Sequence, residues 1–241
     1  MSCVGYIRDP RPSRHRDTAV CILYHTSGIF LSSLLCERQR LYNTLTMSDP
    51  LARLRAFPKA PPPNDNPSAI RGNVSLESKQ LCANILAYHV AHYPGSTVFA
   101  NEALRELKAV EVNVMKTAEG ESKKETLKCE AIFETPVLKE SLNVHGTLSG
   151  GFAAHMLDVC LFGVLFSLGI ETGFDASGVS TAMDLNWYSP GLPGMTLKVV
   201  ASSVILGSKV SASRAEVYDK KSGRLLITAT QNIAPFRQSR L

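Results

Sequence analysis

The segment from Gly150 to Ile170 decides most of what this chain can become. It is long enough to cross a domain or a bilayer as a helix, it is apolar on nearly every side, and its one charged side chain is Asp158. A helix without a polar face has to be surrounded, either by lipid or by the rest of its own fold. An ionised carboxylate near the middle is costly in hydrocarbon. The sequence on either side is rich in strand patterns that can pack against it, so the segment is expected to be a core helix and not a membrane span.

Upstream, Val110-Glu111-Val112-Asn113-Val114 alternates apolar and polar, a turn follows through Glu119-Gly120-Glu121-Ser122, and Thr126 to Thr135 returns as a β-rich partner. Downstream, Val179 to Tyr188, Thr196 to Leu206, Lys209 to Tyr218 and Leu225 to Ile233 read as four more strands. Pro190-Gly191-Leu192-Pro193-Gly194, Gly207-Ser208 and Asp219-Lys220-Lys221-Ser222-Gly223 separate them with good turn chemistry. Two strands, one apolar helix and four strands predict an α+β fold, an antiparallel sheet curled around a central helix.

Asp158 carries the chemistry. Left unpaired and desolvated, an ion there would cost several kcal/mol, so it must be paired, protonated or set at a cleft. His155, three residues earlier, is its only ionisable neighbour on the segment. A buried Asp–His pair and a catalytic carboxylate are equal readings of those residues alone. Ser149 is placed to cap a helix that opens with Gly150-Gly151, where glycines leave the first-turn N–H groups open to a carbonyl oxygen. Asn143, in the preceding loop, can add an amide donor. Donors for an oxyanion and a carboxylate two turns along suit acyl transfer.

The run Asn143-Val144-His145-Gly146-Thr147-Leu148-Ser149-Gly150-Gly151, continued to Asp158, resembles the Asn-x5-His-Gly-Gly-x6-Asp signature of PaaI-like hotdog-fold acyl-CoA thioesterases. Gly178-Val179-Ser180-Thr181 and Tyr188-Ser189-Pro190 resemble that family's next strand and turn. Gly207-Ser208-Lys209 and the run from Val217 to Leu225 resemble its two closing hairpins, so the likeness covers roughly Val110 to Pro235. It implies a hotdog fold with Asp158 as general base or nucleophile. Asn143 and the Gly150 N–H would polarise the thioester carbonyl, and Ser180 would help to position water or the carboxylate. The implied substrate is acyl-CoA or an acyl group on a carrier protein. No cofactor beyond the coenzyme A of the substrate is implied. The site would form between subunits of a homodimer or dimer of dimers. Ser149 departs from the pattern, standing where the family has His, and His145 lies four residues too early to replace it. An alternative is therefore a hotdog module that binds acyl-CoA with little or no catalysis.

Gly178-Val179-Ser180-Thr181-Ala182 also approximates a nucleophile elbow, but that motif needs a strand-turn-helix break and a later His. Strand alternation runs on through Met183, Leu185 and Trp187, and every histidine lies at or before His155. A serine hydrolase is disfavoured. For the phosphates of coenzyme A, Lys198, Lys209, Arg214 and Arg224 are the candidate cations. Cys3, Cys21, Cys36, Cys82, Cys129 and Cys160 show neither a Cys-x-x-Cys nor zinc-ligand spacing, so no metal site is expected, and Cys160 reads as a small buried hydrophobe. The net charge of +5 comes without a basic block interleaved with aromatics, which does not suggest nucleic acid.

A domain of this kind needs only part of 241 residues. Four segments are expected: an N-terminal extension over 1–56, a proline-rich linker over 57–74, a helical segment over 75–100, and the hotdog domain over 101–236. The linker rests on Phe57 to Pro67, whose prolines exclude helix and sheet. Ser75 to His92 has the spaced apolar residues Leu76, Leu81, Ile85, Leu86 and Val90 of an amphipathic helix, with Pro94-Gly95 to stop it. His89 and His92 on it are expected to be surface or groove histidines. In the extension, an Arg-rich start precedes an apolar run broken at Tyr24 to Gly28, and Met47-Ser48-Asp49-Pro50 resembles a second start. A cytoplasmic protein is expected, with mitochondrial or other targeting by the extension as the alternative. Six arginines against Asp9, Asp17 and Glu37 place +3 of the net charge in residues 1–46.

Overall fold

The computed structural model describes residues 51–90, 99–119 and 124–236. The expectations for residues 1–50, for His92 and for the turn at 120–123 lie outside them. The described chain has two long helices, α1 (Leu76–His89) and α2 (Gly150–Thr172). Six strands accompany them: β1 (Lys108–Glu119), β2 (Lys124–Pro136), β3 (Gly178–Trp187), β4 (Thr196–Ile205), β5 (Ser211–Asp219) and β6 (Leu225–Pro235). All neighbouring strands are antiparallel, in the order β1-β2-β4-β5-β6-β3. The chain is an α+β hotdog fold, a six-stranded sheet around the apolar helix.

The register explains how the sheet accommodates that helix. Ala131, Ala201, Ala215 and Ala229 pair one after another across β2, β4, β5 and β6, and all four are buried. This row of methyl groups is a low bed on which a backbone can lie close. The next row, Phe133, Val199, Val217 and Ile227, is large and equally buried, and fills the space beside it. α2 is the one helix among the described residues long and apolar enough to cross a membrane, and the sheet and α1 take up most of its surface. It ends at Gly173, whose φ of 68° is the left-handed conformation that stops a helix.

Ser75 caps α1, accepting the Ser78 N–H at 3.1 Å. The segment before it corrects the expectation of a linker. Residues 57–66 form neither helix nor strand, as their prolines require, but they are fastened to the domain. Asn64, 3% exposed, donates from Nδ2 to the Leu107 carbonyl at 2.9 Å and accepts the Ala109 N–H at 3.0 Å. Ala60 N–H donates to Asn84 Oδ1 on α1 at 2.9 Å. Arg71 then pairs in parallel with Glu111, and the Asn73 side chain binds the backbone of Val114 through both its ends. The segment is a strap along the outer edge of β1. Gly72 lets it lie flat: at φ 108°, a Cβ there would run into the Val112 carbonyl. The last residues of the expected extension also join the domain, through buried Leu54 and an Arg53–Asp175 ion pair.

Replacing Asn64 with Ala should leave two buried backbone groups unpaired and lower the unfolding free energy by about 2–4 kcal/mol. Urea titration checks this, and a loss below about 0.5 kcal/mol would mean that the strap is not held by Asn64.

Candidate active site

Between Gly151 and Phe162 of α2, the residues that escape burial fall on one stripe. Gly151, Ala154, His155, Asp158 and Phe162 recur at helical spacing, while Phe152, Ala153, Met156, Leu157, Val159, Cys160 and Leu161 are buried. Asp158 therefore stands on the strip of the core helix that the sheet leaves uncovered. Its partner is not His155. Ser180 Oγ donates to Asp158 Oδ1 at 2.7 Å, and Gln231 Nε2 donates to the same oxygen and to Ser180 Oγ, the latter at 2.9 Å. One carboxylate oxygen thus accepts two hydrogen bonds while Oδ2 accepts none among the described residues.

A β-bulge brings Ser180 there. Met183, Leu185 and Trp187 pair with Gln231, Ala229 and Ile227, and unbroken alternation would carry Thr181 toward the helix. The register shifts between Ser180 and Ala182, so Ser180 pairs with the inward-facing Ile233 and turns its hydroxyl to Asp158. Gln231 was not among the expected site residues. The signal was present in Ile227, Ala229, Gln231 and Ile233, an inward-facing series in which Gln231 alone is polar.

At the helix start, Ser149 occupies the N-cap position, but its side chain makes no capping bond, contrary to the expected role. Its backbone N–H is drawn to the Ser141 carbonyl at 2.8 Å. The first-turn N–H groups are consequently free of any side-chain cap. A Cβ on Gly150 would meet only the Trp187 ring at 3.7 Å, and one on Gly151 only Ser149 Oγ at 4.0 Å. Packing does not demand glycine at either position, and the effect of both is an unobstructed set of donors. Asn143 is turned toward its own loop. Its Oδ1 accepts the N–H groups of His145 (2.9 Å) and Thr147 (3.3 Å), and Nδ2 donates to Thr147 Oγ1 at 2.9 Å. That leaves one Nδ2 hydrogen for a substrate.

The candidate cations are not gathered. Lys198 and Arg214 lie on the outer face of the sheet, where Arg214 Nε donates to Ser202 Oγ at 3.2 Å. Strand phase decides this, because both sit one residue out of step with the buried series. Lys209 is in the β4–β5 turn, next to a groove lined by Leu168 and Thr172 from the far end of α2. Arg224 is in the β5–β6 turn at the end where α2 begins, as the Leu148–Gly191 and Lys220–Thr196 backbone bonds show. Arg224 thus shares an end of the sheet with the open helix start, and Lys198 lies near that end on the outer face.

Two imidazoles feel the Asp158 charge. Burial holds His155 below the ordinary histidine range, against the pull of Asp158. Burial also lowers His89, opposed by its bond to the Ile85 carbonyl and by Asp158. His89 Nδ1 lies 2.8 Å from that carbonyl, which can only accept, so Nδ1 carries the hydrogen. Its ring packs on Phe162 and Phe166. Cys160 is fully buried with its thiol pushed far up, the inert hydrophobe expected of it.

No protein-family model matches the chain, and no curated protein matches it. Solved structures do. Mouse thioesterase superfamily member 2 is 18% identical with a TM-score of 0.46, over 63% of this chain and 94% of its own. A hypothetical thioesterase from Streptococcus pneumoniae with coenzyme A is 20% identical with a TM-score of 0.43, over 57% and 91%. A mutant of the phenylacetic acid degradation protein PaaI from Thermus thermophilus is 19% identical with a TM-score of 0.36, over 51% and 93%.

The lowered histidines set a pH dependence of stability. Well above pH 6.5 both rings are neutral folded and unfolded alike. As pH falls through that value the unfolded chain takes up protons that the folded chain refuses, so stability is lost toward acid. His89→Gln should make the decline in urea midpoint from about pH 7.5 to about 5.5 shallower than in the wild type. An identical decline would mean that His89 is not held neutral.

Proposed function

We propose that this chain hydrolyses acyl thioesters to the free acid and thiol, with the acyl group carried on coenzyme A or on a carrier protein. The observation that carries the reading is Asp158: an ionisable group on the half-buried stripe that the sheet leaves on an apolar helix, with two hydrogen bonds on Oδ1 and none on Oδ2 among the described residues. As a base, Oδ2 takes a proton from water and the hydroxide adds to the carbonyl carbon. The charge that develops on the carbonyl oxygen meets helix-start N–H groups. The C–S bond then breaks with its electron pair on sulfur, which receives the proton from Asp158. As a nucleophile, Oδ2 itself adds to the carbonyl and thiolate leaves, and water then cleaves the anhydride.

One chain does not complete this site. Gly150 and Asp158 are eight residues apart on one helix, about 12 Å of rise, and a single carbonyl group cannot touch both ends of that span. The donors facing one Asp158 therefore come from the helix start of a second copy, in line with the intersubunit site that the sequence motif implies. β3 offers the surface for it. It is an edge strand with one pairing partner, and all of its positions are exposed except Gly178, Met183 and Leu185, which are half-buried. A homodimer is the smallest assembly that satisfies this geometry.

The second reading, a module that binds acyl-CoA with little turnover, is favoured by Ser149 in the place of the family's His and by the commitment of Asn143 to its own loop. Free-thiol release from a panel of acyl-CoA esters separates the two, since binding without release supports the module.

Asp158→Asn should fold and lose about 10²–10⁴-fold in turnover. Unchanged hydrolysis would remove Asp158 from the mechanism. Gly150→Pro keeps a residue suited to the first helical position but deletes one N–H donor, and should cost about 10²-fold. Mixing the two inactive chains should restore about a quarter of wild-type activity, because a mixed dimer has one intact site. No recovery on subunit exchange would place both groups in a single-chain site.

A further inference from the structure

Gln231 has more bonding capacity than the site has so far used. It is 1% exposed, flanked in its inward-facing series by buried Ala229 and Ile233. Its amide nitrogen is spent on Asp158 Oδ1 and Ser180 Oγ, yet its Oε1 is buried without a partner among the described residues. Ser213 Oγ is buried and unpartnered in the same way. The two residues are paired directly across β5 and β6 and face the same side of the sheet. The two groups make no direct hydrogen bond, and one buried water bridging the hydroxyl and the amide oxygen would satisfy both. The reverse amide orientation would set Oε1 against a carboxylate oxygen, acceptor against acceptor.

We propose, on the basis of the thioester-hydrolase reading, that Gln231, oriented by Ser213, is a positioning residue that locks Asp158 through Oδ1 and leaves Oδ2 as the single reacting oxygen. The amide works as a two-ended bracket. The hydroxyl, through a bridging water, holds its oxygen, so its nitrogen points at the carboxylate, and the carboxylate cannot rotate to exchange its two oxygens. The other ionisable groups around this trio are His155 on α2 and His89 on α1, both lowered by burial and both feeling Asp158.

Steady-state kinetics on an acyl-CoA ester across pH test the bracket with Gln231→Leu, Gln231→Glu, Ser213→Ala and the Ser213→Ala/Gln231→Leu double variant. Gln231→Leu should lower kcat about 10–100-fold with KM little changed. Gln231→Glu sets a second carboxylate beside Asp158 and should move the acidic limb of the pH–rate profile to higher pH, a change that mere packing would not produce. Ser213→Ala should cost about 3–10-fold alone and nothing further in the Gln231→Leu background, because it acts through the amide. Wild-type kcat and pH profile in folded Gln231→Leu would overturn the proposal, and full additivity of the two losses would overturn the part of Ser213. Should Gln231→Leu not fold, the Gln231→Glu profile and the Ser213→Ala loss decide alone: an unmoved acidic limb or an unchanged kcat overturns the bracket. Failure of the parent reading looks different, since the wild type itself would then bind acyl-CoA without releasing thiol, or Asp158→Asn would keep its activity.

Discussion

A helix with no polar face governs this molecule. α2 cannot lie on a surface, so the sheet has to curl about it, and Gly163 leaves room for the Phe133 ring of β2, which a Cβ there would meet at 3.0 Å. Six strands still do not close the circumference. The strip left over, from Gly151 to Phe162, is where a carboxylate can stand on the core helix without being sealed into hydrocarbon. Position in the wrapping, more than any local motif, makes Asp158 available for chemistry.

The sheet's two edges are treated differently. Along β1 the strap of residues 70–73 pairs with Glu111 and Val114, which blunts an edge that would otherwise invite further strands. β3 has no such cover among the described residues, although its exposed side chains include Val179 and Trp187. The open edge lies beside Ser180, on a chain whose Gly150 and Asp158 are separated by about 12 Å of helical rise.

Much of the fold was legible because periodicity reports burial directly. Alternation and turn residues located β3 to β6 within two residues, and the apolar run marked α2. The site was legible only where a single residue stood out from its surroundings, as Asp158 does. Ser180 was named through the family motif, and the residues alone could not show that it faces the helix. That depends on a bulge, a property of two paired strands and not of one. Gln231 and Ser213 needed the same cross-strand register before their shared face meant anything. Arg214 was misplaced for the converse reason, since a cation near a strand end says nothing of phase until the buried series is known. The strap was illegible because proline excludes regular structure without saying whether the chain is bound, and its anchor is one asparagine.

Inward-facing polar groups are where an apolar interior breaks its own rule, and four of them lead across the sheet to the helix: Ser213 on β5, paired in register with Gln231 on β6, then Ser180 on β3 and Asp158 on α2. Valine or leucine at positions 213 and 231 would complete the core with less desolvation cost, so packing does not account for them. Their common direction does. Gln231 and Ser180 point their hydrogen-bonding atoms at Asp158, the one carboxylate on the stripe from Gly151 to Phe162. The alanine and large-residue rows beside Gln231 stay apolar. A carboxylate with two hydrogen bonds on Oδ1 keeps the lone pairs of Oδ2 unspent among the described residues. Both the base and the nucleophile routes require that of it, and a solvated surface aspartate would not provide it.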